Sequence, residues 1–277
     1  MLIIELQKHF FKGCDGSLGF EKPLRELNLG EILGQTFNLY FSKFFLFFLP
    51  FLVAGVLNGA WGEVVSWIFP LPKEPDLTAP SDVLLSYLSS LLGVMVATLF
   101  LTLLVSWIVN TIVGGMTVKV ASDVLERRSI DLSETLNFTV SRLPSLLGAG
   151  IVTGILIAVG FICLVVPGII LTIMFSLVVP AIVIERTGAL ESLSRSRRLV
   201  GRRWLKTFGL LLVVGIIILV ATLIFSAVSS FFGPADWIVS SILGALVSPI
   251  YPIAVTLYYY SMVAREAPQE PILSQSD

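Results

Sequence analysis

Charged residues are scarce in this sequence, and that scarcity decides the class of protein. Asp, Glu, Lys and Arg make up 13% of its 277 residues, whereas 56% are hydrophobic. An average soluble domain has about 25% charged residues, so the composition excludes an ordinary soluble protein. A helix needs ~20 apolar residues to cross a hydrocarbon core, and several segments reach that length. We therefore predict an all-α, polytopic membrane protein.

The residue types that most catalytic and metal sites use are also nearly missing. His9 is the single histidine, and the two cysteines, Cys14 and Cys163, are too few for a disulfide framework. The sequence has no Gly-Lys-Ser/Thr phosphate loop and no Cys-x-x-Cys pair. We predict free thiols, no bound metal, no cofactor and no enzymatic activity.

Six hydrophobic segments are long enough to span a membrane. Pro167-Gly168 divides the long uncharged stretch between Arg142 and Glu185 into two spans, since one helix of that length would be far too long. The predicted spans are about 44–65, 88–112, 144–165, 168–184, 207–230 and 237–262. They form a membrane domain at 24–265, between a cytoplasmic N-terminal segment, 1–23, and a disordered tail, 266–277.

Prolines are predicted to distort two of these spans. Pro180 lies near the end of the fourth span, and Pro249 and Pro252 lie within the sixth. A proline cannot donate the backbone hydrogen bond that continues a helix, so the freed carbonyl groups need donors from neighbouring helices.

Three short polar segments share a pattern in which leucine follows an acidic residue by two places. They are Leu29-Gly30-Glu31-Ile32-Leu33, Leu132-Ser133-Glu134-Thr135-Leu136 and Leu190-Glu191-Ser192-Leu193. Each leads through an amphipathic stretch into two spans, which predicts three repeated units of one interfacial helix and one helical hairpin. The alternative is a chance match, because amphipathic helices commonly precede spans.

Basic residues lie almost entirely on one side of the predicted spans. Of the 18 Lys and Arg residues, only Lys73 falls in a connection on the other side. The positive-inside rule then predicts a cell-membrane protein with both termini in the cytoplasm.

The densest basic segment runs from Glu185 to Lys206. On a helical wheel, its cations Arg195, Arg198, Arg202 and Lys206 fall within about 80° of one another, with Arg203 beside Arg202 in sequence. We predict that these five cations contact anionic lipid headgroups. A simpler interpretation, which stays open, is that the segment is only a topology signal and headgroup anchor.

Arg197 departs from this arrangement. On the same wheel it falls among apolar residues, so it is predicted to need a buried carboxylate partner. Glu185 is the first candidate for this ion pair, and Glu134 is the second.

Three runs of this sequence resemble the glycerophosphodiester phosphodiesterase membrane-domain family and its uncharacterised bacterial and archaeal relatives. They are Pro167-Gly168-Ile169-Ile170, Pro180-Ala181-Ile182-Val183-Ile184-Glu185 and Leu193-Ser194-Arg195-Ser196-Arg197-Arg198-Leu199-Val200. The likeness covers roughly 24–265, although Arg197 stands where the family has Trp. The resemblance implies a six-helix membrane domain. It does not imply phosphodiesterase activity, which in the family belongs to a separate soluble domain.

The predicted function is that of a non-enzymatic scaffold or accessory component. It is predicted to bind anionic inner-leaflet lipid or a membrane partner through the basic segment from Glu185 to Lys206. No binding of nucleic acid is predicted. The alternative is a permease or transporter of a lipidic or apolar substrate, since discontinuous helices often line substrate sites. A transporter predicts an open cavity at Asn110, Pro249 and Pro252, whereas a scaffold predicts tight packing there.

Overall fold

Helices make up nearly all of the computed structural model, which describes residues 21–76 and 80–266. These ranges contain no strand and six helical segments that are long and apolar enough to cross a membrane, which confirms the predicted number. The predictions for His9, Cys14 and the C-terminal tail beyond Glu266 lie outside the described residues.

Eleven α-helices follow one another in the described ranges. In chain order they are α1 (Leu29–Ser42), α2 (Phe44–Ile68), α3 (Ser81–Leu125), α4 (Leu132–Ser141), α5 (Leu143–Cys163), α6 (Val165–Met174), α7 (Val178–Ile184), α8 (Ala189–Gly201), α9 (Trp204–Ser229), α10 (Asp236–Val247) and α11 (Ile250–Glu266). The first hairpin is α2 and α3, the second is α5 with α6 and α7, and the third is α9 with α10 and α11. A short helix, α1, α4 or α8, precedes each hairpin.

The second span, α3, is far longer than a membrane requires. Its 45 residues extend ~68 Å as helix, more than twice the ~30 Å of a hydrocarbon core. The predicted span, 88–112, is therefore only the middle of one unbroken helix. Its buried residues begin at Val113 and continue to Leu125, so α3 joins the core through its C-terminal part alone.

The hydrophobic core lies at the end of the bundle where charged residues collect. The C-terminal part of α3 packs against α7 and α11, and α11 also packs against α7. The largest fully buried side chains include Tyr258, Tyr259 and Tyr260 of α11. We call this end of the bundle, which contains Glu126 and Glu185, the charged end.

Helices α4 and α8 pack on the last span of the preceding hairpin, and α1 packs on the last span of the third hairpin. Helix α4 packs on α3, α8 packs on α7, and α1 packs on α11, which brings the first described helix against the last. Each contributes a fully buried hydroxyl side chain at an equivalent position, namely Thr36, Thr139 and Ser196, all 0% exposed. In sequence, each of these hydroxyls follows the acidic residue of the shared pattern by five places. The same face of each short helix is therefore buried.

The predicted turn between the third and fourth spans is wrong by a few residues. Leu164, with an extended backbone (φ −165°, ψ 152°), separates α5 from α6. Pro167 instead lies in the first turn of α6. Backbone N–H groups in a first turn have no hydrogen-bond acceptor within the helix, so a proline there removes no helical hydrogen bond. Gly168 allows the two helices to approach closely, since a Cβ there would stand 2.5 Å from the Phe161 ring.

Prolines interrupt the fourth and sixth spans, as predicted. The fourth span breaks at residues 175–177, just before Pro180, and the sixth breaks at 248–249, where Pro249 itself lies. Pro252 lies in the first turn of α11 and is buried. The interrupted ends leave backbone groups without a helical partner.

Polar side chains of two short helices bind these freed groups. The Ser196 hydroxyl of α8 accepts a hydrogen bond from the Leu177 N–H at 3.2 Å and donates to the Met174 carbonyl at 2.6 Å. The Tyr40 hydroxyl of α1 donates to the Leu246 carbonyl at 2.9 Å. Each break is thus held by the short helix that packs on that span.

Candidate anionic-ligand site

Arg195 is an internal link rather than the exposed headgroup contact that the wheel predicted. Its side chain is 11% exposed, with Nη2 2.8 Å from Oε1 of Glu185 and Nη1 in contact with Glu266. Burial by itself would lower the pKa of Arg195, but the hydrogen bonds that its guanidinium donates to the two carboxylates outweigh burial and raise that pKa. Arg195 therefore joins α8 to the ends of α7 and α11.

Arg197 does not form the predicted ion pair. Glu185 pairs with Arg195 instead, Arg197 is exposed, and Glu134 has no cation within 4 Å among the described residues. The wheel assumed one continuous helix, yet α8 ends at Gly201 and α9 begins at Trp204. Leu193 and Val200 of the apolar side of the wheel are buried, together with Ser192, Ser196 and Leu199, but Leu190 of that side is exposed.

Arg203 and Lys206 contact a carboxylate that the sequence did not single out. Oε1 of Glu26 lies 2.6 Å from Lys206 Nζ, and its Oε2 lies 3.5 Å from Arg203 and 3.6 Å from Arg265. Burial would raise the pKa of Glu26, but the hydrogen bond from Lys206 and the charges of the two arginines lower it overall. Glu26 therefore ties the segment before α1 to the start of α9 and the end of α11.

Two of the predicted cations, Arg198 and Arg202, line an open cavity at the charged end. The cavity has a volume of about 250 Å³ and lies between α8 and the end of α11. Its lining consists of three arginines, one glutamate and two apolar residues: Arg198, Arg202, Arg265, Glu266, Leu199 and Met262. We call it the arginine cavity.

The cations of the arginine cavity are only weakly neutralised by the protein. The Arg198 side chain is 68% exposed, and its Nε lies 3.9 Å from Glu266, whose other oxygen contacts Arg195. Arg202 is exposed and has no ion pair among the described residues. Within the lining, three guanidinium groups face one carboxylate, and Glu26, the further partner of Arg265, is shared with Arg203 and Lys206. The cavity therefore keeps an excess of positive charge, to which an anion can bind.

Two tyrosines of α11 anchor neighbouring spans through their hydroxyl groups. Tyr258 shares a 2.8 Å hydrogen bond with Thr207 of α9. Tyr260 donates to Oε1 of Glu126 at 2.7 Å and accepts from the Ser122 hydroxyl at 2.7 Å. The predicted sixth span, 237–262, contains these tyrosines near its end, but nothing in the sequence indicates their partners, which are distant in the chain.

Tyr259, between them, points in a third direction. Its hydroxyl faces the Glu185–Arg195 pair without reaching hydrogen-bond geometry with either residue. Consecutive helical residues are about 100° apart, so the three tyrosines reach three different parts of the bundle. Helix α11 is thereby fixed at the centre of the charged end.

The residues that a transporter was predicted to place in one cavity lie in different environments. Pro249 and Pro252 are buried, whereas Asn110 is exposed, and its amide donates to the Ser106 carbonyl of its own helix at 2.7 Å. In the described ranges no group of three or more His, Cys, Asp or Glu residues could hold a metal ion. Cys163 is exposed and free.

One family model matches part of the chain. It is described as a domain of unknown function (DUF7847) and matches residues 133–266, slightly less than half of the sequence. The match runs from the second residue of α4 to the last residue of α11, so it covers the second and third hairpins and the whole lining of the arginine cavity. No curated protein and no solved structure matches the chain.

Proposed function

We propose that this chain is a non-enzymatic integral membrane protein that binds an anionic phospholipid headgroup in the arginine cavity. The observation that carries the proposal is the excess of positive charge in a cavity that also has an apolar wall, formed by Leu199 and Met262. Guanidinium groups bind phosphate oxygens in a forked geometry, and the apolar wall suits the part of a lipid next to its headgroup.

The pairing of the other cations supports this choice of site. Arg195, Arg203 and Lys206 are held by Glu185, Glu266 and Glu26 at the distances given above. Arg198 and Arg202 remain available, although all five were predicted from the same basic segment. A topology signal alone would not require Arg202, which has no ion pair among the described residues, and the weakly paired Arg198 to converge with Arg265 on one cavity.

We further propose that the charged end faces the cytoplasm, in a cell membrane, with both termini on that side. The asymmetry of Lys and Arg supports this orientation through the positive-inside rule. In that orientation the arginine cavity lies at the inner leaflet, where anionic lipids attract basic segments by about 1 kcal/mol per cation. The short helices α1, α4 and α8 would then lie at the cytoplasmic interface.

The proposed architecture is three repeated units, each with one short helix and one hairpin. Supporting observations are the packing of each short helix on the last span of a hairpin and the buried hydroxyl that all three share. The resemblance to the glycerophosphodiester phosphodiesterase membrane-domain family stays a prediction, consistent with six spans and without implied catalysis.

A lipid transporter is the second candidate, favoured by one specific observation. The last spans of the second and third hairpins are both broken before or at a proline, and paired interruptions of this kind often mark transport sites. Against it, Ser196 and Tyr40 already bind backbone groups at the breaks, and Pro249 and Pro252 are buried.

Binding of a short-chain phosphatidylglycerol to the detergent-solubilised full-length chain tests the proposal. The double variant R198Q/R202Q should bind at least about 10-fold more weakly, because two charge-assisted contacts are lost. R197Q is the matched control, since Arg197 is exposed on the same helix but outside the cavity. Equal affinity of the double variant and R197Q would contradict the lipid site.

Faster movement of a fluorescent lipid across the membrane of vesicles that contain the protein would favour the transporter.

A further inference from the structure

A second ionic cavity lies at the charged end, away from the arginine cavity. It has a volume of about 300 Å³ and is bounded by the C-terminal part of α3, by α4 and by the residues after α3 and α7. Its charged lining is balanced, with three cations and three carboxylates: Lys119, Arg128, Arg186, Asp123, Asp131 and Glu134. We call it the balanced cavity.

Part of this charge is already paired inside the protein. Lys119 Nζ lies 2.6 Å from Oδ2 of Asp123, and their side chains are only 16% and 6% exposed, so this pair forms a fixed wall. Arg128 lies 2.7 Å from Glu126. Asp131 caps the first turn of α4 by accepting a 2.7 Å hydrogen bond from the Ser133 N–H.

Three charges in the lining have no ionic partner among the described residues, namely Asp131, Glu134 and Arg186, and the Asp131 carboxylate already accepts backbone N–H groups as the cap of α4. In the part of the chain that the structure describes, neither Glu134 nor Arg186 has an oppositely charged atom within 4 Å. The Arg186 guanidinium is held 5.5 Å from the centre of the Phe138 ring, which fixes it by a cation–π contact and leaves its N–H groups available to an acceptor. Phe138 also lines the cavity.

The position of Arg186 is fixed by its backbone as well. Its carbonyl accepts a hydrogen bond from Nη1 of Arg142 at 3.2 Å, and Arg142 lies 6.0 Å from the same Phe138 ring. The cavity thus has one well-positioned cation and one free carboxylate, Glu134, on different elements.

We propose that the balanced cavity binds a zwitterionic ligand, a phosphate ester that carries a primary ammonium group. The phosphate would bind Arg186, and the ammonium would bind Glu134. A purely anionic ligand would be repelled by Glu134 and Asp131, and a purely cationic one by Arg186 and Arg128. A ligand with both charges satisfies both free groups without leaving either charge unpaired.

This site is independent of the arginine cavity. None of its lining residues lines the arginine cavity, and its net charge is zero rather than positive. Two sources supply the proposed chemistry: an aminophospholipid headgroup, or a free phosphoethanolamine in solution. The proposal needs only the paired charges, so it does not rest on the anionic-lipid function proposed above.

The test measures binding of short-chain phosphatidylethanolamine and short-chain phosphatidylglycerol to the full-length chain. Every sample carries R198Q/R202Q, so that the arginine cavity does not contribute. We expect phosphatidylethanolamine to bind roughly 10-fold tighter than phosphatidylglycerol, since one charge-assisted contact distinguishes them. Adding E134Q should remove this preference, and adding R186Q should weaken phosphatidylethanolamine binding.

Matched controls are E191Q and R197Q, which remove exposed charges of α8 outside both cavities. Competition by free phosphoethanolamine would identify a soluble ligand, whereas binding of the lipid alone would identify a headgroup, and either result supports the site. Should R186Q fail to fold, E134Q decides by itself, because Glu134 is exposed. An E134Q protein that keeps the full preference, or a parent without any preference, would overturn the proposal.

Discussion

The backbones of Arg127 and Arg186 share the same left-handed conformation, with φ angles of 53° and 58°. Each arginine follows a glutamate that caps a last span, Glu126 after α3 and Glu185 after α7. No other non-glycine residue in the described ranges has a positive φ. Such a backbone costs a residue with a side chain on the order of 1–2 kcal/mol. Its recurrence at the same place in two hairpins supports the proposed three-unit architecture.

Replacing Arg127 tests whether its left-handed backbone is strained. Glycine adopts a left-handed backbone readily, whereas valine is especially unfavourable there. We expect R127G to be more stable than R127V by about 1–2 kcal/mol. The ion pair of Arg127 with Glu21 is exposed and is lost in both variants, so it does not affect the comparison. Thermal unfolding in one detergent measures the difference, and a less stable glycine variant would contradict the strain.

Ser196 should be important for the broken fourth span. S196A removes the hydroxyl that binds both Leu177 and Met174, and it leaves one buried and one partly buried backbone group without a partner. We expect a loss of about 2 kcal/mol in the free energy of unfolding. S194A is the control, because Ser194 is exposed on the same helix. Similar unfolding temperatures for the two variants would show that the hydroxyl does not hold the break.

The carboxyl group of Glu26 should make stability depend on pH in the acidic range. Its pKa is lower in the folded protein than the usual 4.5. Its contribution to the free energy of unfolding is therefore complete at pH values above 4.5. The contribution is then lost as the pH falls through the lowered folded-state pKa. We expect E26Q to be less stable than the parent at neutral pH, with the difference shrinking below about pH 4.5. Unfolding temperatures at a series of pH values measure it, and a difference that grows on acidification would reverse the predicted sign.

The orientation of the bundle can be measured by cysteine labelling in intact cells. In a C14S/C163S background, a membrane-impermeant thiol reagent should label D76C, in the connection between α2 and α3, but not S194C on α8. Ser194 lies at the charged end and Asp76 beyond the opposite ends of the first two spans. Labelling of both positions after permeabilisation controls for reactivity. External labelling of S194C alone would invert the proposed topology.

The sequence correctly predicted the parts of the fold that depend on local chemistry. The six spans follow from runs of apolar residues, and the breaks near Pro180 and Pro249 follow from a missing N–H. The site was predicted less well because the wheel extended one helix through Gly201. A glycine is a frequent helix C-terminal signal, and it was the one local indication that Arg202 and Lys206 do not continue α8.

The ion pairs could not have been predicted in this way. Glu26 meets Lys206 and Arg265 only because α1 packs against α11, at the other end of the chain. No spacing rule within a helix relates these residues. Arg265 is the last residue of the predicted membrane domain, 24–265, yet the folded chain brings it beside Arg198 in the arginine cavity.

Native mass spectrometry of the full-length protein, after mild extraction from its membrane, tests the arginine cavity most directly. We predict that the parent and R197Q retain an anionic phospholipid and that R198Q/R202Q loses it, with all three proteins equally folded. Equal retention by all three proteins, or retention of only uncharged and zwitterionic lipids by the parent, would contradict an anionic-lipid site at Arg198 and Arg202.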